Sequence, residues 1–154
     1  MVTMQENQIG FSLAELLFTI VITVILVTVA FVSYQSYIKS ARLREAQTML
    51  LSNARFMERF YHQHSSFKKT STTWPDLPDG GNGTFCIRPH GDARGALNDK
   101  FTLKAVAYDK DKEPRILKIN ESLITVICES TTSICEEGKN YFSGSDKKCT
   151  VFQP

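Results

Sequence analysis

GFSLAELLFTIVITVILVTVAFV, residues 10–32, decides the fold. Over residues 16–32 the only polar side chains are threonines, whose hydroxyls can bond back to carbonyls of their own helix. With residues 11–14 added the apolar stretch reaches about 20 residues, or ~30 Å of helix, which matches the hydrocarbon core of a bilayer. The run is too long for the apolar region of a secretory signal peptide, and no A-x-A-like cleavage site follows it. The 42% apolar content of the 154-residue chain would look ordinarily globular if spread evenly, but much of it is spent here.

Beyond His62 the chain turns polar, and all four cysteines, Cys86, Cys128, Cys135 and Cys149, lie in that part. None is spaced C-x-x-C and no histidine stands at metal-ligand spacing from them, which argues against zinc. An even cysteine count in a small domain behind an export segment predicts two disulfides formed in an oxidising compartment. Three pairings are open. Residues 65–154 hold 13 Lys+Arg against 12 Asp+Glu, so bulk charge does not argue for nucleic acid and any anion site must come from local arrangement.

A short polar leader, residues 1–9, ends in Gly10, and Phe11-Ser12-Leu13-Ala14-Glu15 opens the apolar run. A carboxylate this far into a membrane helix is costly unless paired, although an acid in the headgroup layer at the start of a span explains Glu15 equally well by itself. The pattern G-F-S-L-A-E before about 20 apolar residues resembles the prepilin signal of the type IV pilin family. The resemblance implies that a prepilin peptidase cuts after Gly10 and that Phe11 becomes the N-methylated first residue. It also implies that Glu15 pairs with the freed amine of a neighbouring pilin subunit. Two features depart from the family's pattern. The leader has no Lys or Arg while Lys39, Arg42 and Arg44 follow the span, which by the positive-inside rule would leave the C-terminus in the cytoplasm. Long domains translocate largely regardless of charge, and the four cysteines favour export. Many pilins also carry a proline about two-thirds along the span, where this chain has Val32 before Ser33.

Leu43, Ala46, Leu50, Ala54, Met57 and Tyr61 recur at steps of three or four, with Arg42, Arg44, Glu45, Arg55, Glu58 and Arg59 on other faces. One helix is therefore predicted from about Phe11 to His62. Residues 84–88, 101–108, 115–119 and 123–128 read as strands, with turns at the run 109–113 before Pro114 and at 120–122. The expected class is α+β: a long N-terminal helix packed on a four-stranded antiparallel sheet, an architecture that also resembles the pilin fold. Residues 65–83 form a long loop with Lys68, Lys69, a Ser/Thr run and Trp74, and residues 129–148 form a loop-rich tail. The family likeness favours Cys128 with Cys149, stapling the tail to the sheet, and Cys86 with Cys135. The expected organisation is a leader at 1–10, a transmembrane and filament-core helix at 11–38, and a periplasmic or extracellular domain at 39–154.

FMERFY (56–61), FKKTSTTWP (67–75), FCIR (85–88), ARGAL (93–97), LKAVAYDKDK (103–112), ITVIC (124–128) and the tail 135–149 resemble the competence minor pilins. That group, within the type IV pilins, implies binding of double-stranded DNA with preference for a short uptake sequence at the start of natural transformation. The implied places are the inner membrane before assembly and the pilus at the cell surface afterwards, with no cofactor. If the second hairpin turns about Asp111, Lys104 falls opposite Lys118, and Arg88 ends a strand that can lie beside them. Lys104 points away from Phe101 and Leu103, so it is expected to be solvent-exposed, and the three cations are expected to form a stripe on the outer sheet face. Like charges opposite one another are mildly destabilising, which a DNA phosphate would relieve. Exposed strand lysines are also common solubility devices. The family likeness outweighs that reading, because its DNA-binding cations match Arg88, Lys104 and Lys118. Lys68 and Lys69 in the long loop and Lys139, Lys147 and Lys148 in the tail are further candidate phosphate contacts, with loop Ser, Thr, Asn or Gln reading bases.

Other features have plainer readings. His62 and His64 suit the helix dipole, Asp109, Asp111 and Glu113 lack the glycine and terminal glutamate of a calcium loop, and Trp74 reads as a loop anchor. Neither a nucleophile motif nor a phosphate-cradling loop is present, so an enzyme is not expected. The rivals to a DNA receptor are a structural or adhesive pilin and a secretion-system pseudopilin, the latter disfavoured by two disulfides and a long tail.

Overall fold

A computed structural model describes residues 12–153, with the side chain of Val32 excepted; the leader, Gly10 and Phe11 lie outside the described residues. Helix α1 runs from Leu13 to His64. Ser12 opens it by accepting the Glu15 N–H at 3.1 Å on its carbonyl and 3.3 Å on its hydroxyl. Ser65, at φ 54°, turns the chain out of it. His64 stacks on Phe60 with ring centroids 4.1 Å apart and meets the Phe60 carbonyl at 3.0 Å, at the helix's negative end.

The chain divides into two units, one up to Ile38 and one from Lys39 onward. In the first, the helix exposes its apolar side chains all round, at a mean hydropathy of 2.8 with nothing buried, and is long and apolar enough to cross a membrane. Thr19, Thr23 and Thr28 donate their hydroxyls to carbonyls at 2.8–2.9 Å one turn back, which hides their polarity.

The second unit is a sheet with a cover on each face. Its strands are β1 (Phe85–Pro89), β2 (Thr102–Ala107), β3 (Ile116–Asn120), β4 (Thr125–Thr131) and β5 (Asp146–Val151), an antiparallel meander in chain order. Leu43, Ala46, Leu50, Ala54 and Met57 of α1 bury against Phe85, Ile87, Leu103, Ala105, Leu117 and Ile119, as alternation along β2 and β3 requires. On the opposite face Cys86, Val106, Ile116, Cys128, Cys135 and Phe142 make a second, smaller core.

The sheet has five strands where four were expected. Asp-Lys-Lys-Cys-Thr-Val lacks an alternating apolar pattern because β5 is a largely exposed edge strand. It is held by its ladder to β4 and by the Cys128–Cys149 disulfide between register partners. Lysines on it also guard the open edge. Cys86–Cys135 is the other disulfide, so the pairing that the family likeness favoured is the one present. Residues 132–145, between β4 and β5, form a strap over the outer sheet face; its Phe142 N–H donates to Pro89 O at 2.8 Å and its Phe142 O accepts from Gly91 N at 2.8 Å.

The long loop is tied down rather than loose. Asn53, fully buried on α1, bonds both backbone groups of Asp79 at 2.7 and 3.1 Å, and Trp74 Nε1 donates to Gly91 O at 2.9 Å. Gly81, at φ 121°, brings its backbone against β1, where a Cβ would stand 2.1 Å from Phe85 O.

Candidate nucleic-acid interface

The β1–β2–β3 register sets Arg88 opposite Lys104 and Lys104 opposite Lys118, so the three cations do gather in one row on the face away from α1. Lys104, however, is wholly buried, and the expectation that it faces solvent is corrected. Alternation told which face Lys104 occupies, but the strap covers that face. Its ammonium pairs with Asp146 at the start of β5 and donates to Thr131 Oγ1 and Ser133 Oγ at 2.8 Å and to Gly144 O at 3.4 Å. Lys118, 20% exposed, reaches the other Asp146 oxygen at 3.1 Å. One buried carboxylate therefore offsets two facing lysines, the part that had been expected of a phosphate.

Arg88, half-buried, donates to Cys135 O at 2.6 Å and Glu137 O at 2.8 Å, with its guanidinium 5.3 Å from the centre of the Phe142 ring. The row thus stitches the strap to the sheet.

The flanking lysines are freer. Lys69 is exposed and paired with Asp76 at 2.9 Å; Lys148 is exposed and paired with Glu129 at 3.0 Å. Such surface pairs are worth about 0–1 kcal/mol and exchange readily for another anion. Lys147 is exposed, and Lys139 is exposed with its ammonium 5.6 Å from the Tyr141 ring centre. Lys68 is half-buried and donates to Ala96 O at 3.0 Å, a brace rather than a free contact. The long loop and the tail meet across a groove of about 400 Å³ whose polar walls include Thr72, Thr73 and Asn140, with Arg88 and Lys139 beside them. Sequence reasoning had treated these two segments as separate flanks, and it missed Asp146 altogether. A lone acid in a Ser/Gly/Lys-rich tail carries no mark of the lysine 42 residues away that it meets.

Glu15 is exposed in the first turn of α1. Among the described residues no group of three or more His, Cys, Asp or Glu side chains is placed to hold a metal.

Burial pushes the Lys104 ammonium below the usual lysine range, an effect that Asp146 only partly offsets. Burial would raise the Asp146 carboxyl, but hydrogen bonds from Lys104, Thr131 and Lys118 outweigh it and hold the group below the usual carboxylate range. His90 is lowered by burial first and by the Lys104 charge second, with Asp146 opposing, and its Nδ1 is buried without a hydrogen-bond partner. The unfolded chain binds a proton at His90 near pH 6.5, before the folded one does, so stability falls as pH drops from about 7 through the lowered folded value. The Asp146 contribution is present above about pH 4 and is lost as pH falls further, through its depressed folded value. Urea midpoints of the wild-type chain should therefore decline between about pH 7.5 and 5, and His90→Gln should remove that decline. An equal decline in the variant would show that another group controls it.

A family model described as type IV minor pilin ComP, DNA uptake sequence receptor, matches residues 32–115. The solution structure of the minor DNA-uptake pilin ComP from Neisseria subflava is 51% identical, superposes with a TM-score of 0.62, and aligns over 73% of this chain and 96% of its own. The global fold of the type IV pilin ComP from Neisseria meningitidis is 52% identical with a TM-score of 0.54, over 77% of this chain and 99% of its own. Comparison with curated protein sequences gives no significant match.

Proposed function

Because this chain belongs to the ComP family of type IV minor pilins, pilus subunits rather than enzymes, we propose that it is displayed on the pilus as a receptor for double-stranded DNA, with preference for a short uptake sequence. The observation that carries this reading is the groove where the long loop and the tail converge, polar within and bordered by Arg88 and Lys139. Exposed Lys69, Lys139, Lys147 and Lys148 hold backbone phosphates, which fixes position and orientation. Thr72, Thr73 and Asn140 are the side chains suited to base edges, since hydroxyl and amide groups both donate and accept. Arg88, Lys104 and Lys118 act one step back, by holding the strap that carries Lys139 and the strand that carries Lys147 and Lys148.

The test is selection from a library of random-sequence duplexes by the full chain in dodecyl maltoside micelles. Enrichment of one short motif, weakened by Asn140→Ala, is the expected result. Retention of every duplex alike would remove sequence preference, and no retention would leave a structural or adhesive pilin.

A further inference from the structure

The connection from β1 to β2, residues 90–101, carries Leu97 at its surface, 61% exposed, between the exposed cations Arg94 and Lys100. A lone exposed leucine is ordinary on a protein surface. This one sits on a braced loop. Asp92 caps the short helical turn Ala93–Gly95 by accepting the Arg94 N–H at 3.1 Å on its side chain, and Gly95 N donates to Asp92 O at 3.3 Å. On either side of Leu97 the carbonyls are engaged: Ala96 O accepts from Lys68 Nζ at 3.0 Å and Asn98 O from Phe67 N at 2.8 Å. Ala93 and Phe101 are buried at the loop's two ends. The backbone around Leu97 is thereby fixed while its side chain stays in water.

The loop also borders the surface already described. Ala93 lines the groove of the long loop and the tail, and Trp74 lines both that groove and the hollow beneath Ala96, Leu97 and Lys100. Asp92 is committed to the Arg94 N–H and to the Tyr141 hydroxyl at 3.3 Å, which leaves exposed Asp99 as the acid beside the two cations. An apolar side chain held rigidly between two cations fits the minor groove of a duplex. There such wedges enter between base steps, unstack them and kink the DNA, while the flanking cations meet phosphates.

We infer that this loop deforms the bound duplex, with Leu97 as a wedge in the minor groove and Arg94 and Lys100 on the phosphates to either side. The inference rests on the DNA-receptor reading, and it makes part of any sequence preference a preference for steps that kink easily.

The test uses the full chain in dodecyl maltoside micelles and a duplex carrying a donor and an acceptor dye at its two ends. Wild-type binding is expected to raise energy transfer, as a bend brings the ends together. Leu97→Ala is expected to bind about tenfold more weakly and to leave the duplex straight, whereas Leu97→Met, which keeps an apolar wedge, retains the bend. Arg94→Ala and Lys100→Ala are each expected to lower the salt dependence of binding by about one unit of slope. Wild-type binding without a rise in transfer, or an unchanged bend with Leu97→Ala, overturns the wedge and leaves the receptor reading standing. Failure of the wild-type chain to bind the labelled duplex overturns both.

Discussion

Lys104→Ala is expected to destabilise the domain by roughly 3–5 kcal/mol, the usual cost of removing one partner from a buried ion pair. The lysine is wholly buried, and its partner Asp146 has a side chain only 3% exposed. Alanine leaves that carboxylate with Lys118 at 3.1 Å as its remaining cation, and it deprives Ser133 and Gly144 of their shared donor. A small domain holds about 5–15 kcal/mol in all, so the loss is a large share of it. The double variant Lys104→Met with Asp146→Leu removes both charges together and is expected to recover most of the loss, since paired replacement by apolar groups is commonly neutral or better. Urea denaturation at neutral pH reads both. A Lys104→Ala chain as stable as wild type would mean that the pair is solvated in solution and that the row is open to phosphate after all. Any fall in DNA affinity of the single variant needs that stability measurement beside it, because loss of the strap would mimic loss of a contact.

DNA affinity of the full chain is expected to fall by about a thousandfold between roughly 50 and 200 mM salt, as for about six phosphate contacts, each releasing a counterion. The cations that can make them are Lys69, Lys139, Lys147 and Lys148 together with Arg94 and Lys100, all exposed. Removing the four lysines as alanines should cut the slope of log affinity against log salt by about 0.9 for each and weaken all duplexes alike. The fold should be little changed, since only the Lys69–Asp76 and Lys148–Glu129 surface pairs are lost with them. A slope that survives all four substitutions would move the phosphate contacts elsewhere on the domain.

Much of the architecture is legible in the sequence because local pattern and burial agree. Steps of three and four from Leu43 to Met57 mark the buried helix face, and alternation along β2 with a charged turn after it sets Lys104 opposite Lys118. What alternation cannot say is what lies over a face. Residues 132–145 have no periodicity, and what fixes them comes from far along the chain: the Cys86–Cys135 bridge, the Arg88 bonds to two carbonyls and Phe142 against the second core. The candidate site divides in the same way. Its loop and tail cations were found as charges, whereas the groove between them exists only once Trp74 and the strap are docked around Gly91.

The position of Asp146 also makes the domain a monitor of its own completion. Two facing lysines emerge from the ribosome well before the acid that reconciles them, and Cys149 follows that acid by three residues. A polypeptide cut short before residue 146 would keep the repulsion without its remedy and leave Cys128 without its mate, so an unfinished subunit announces itself by failing to close.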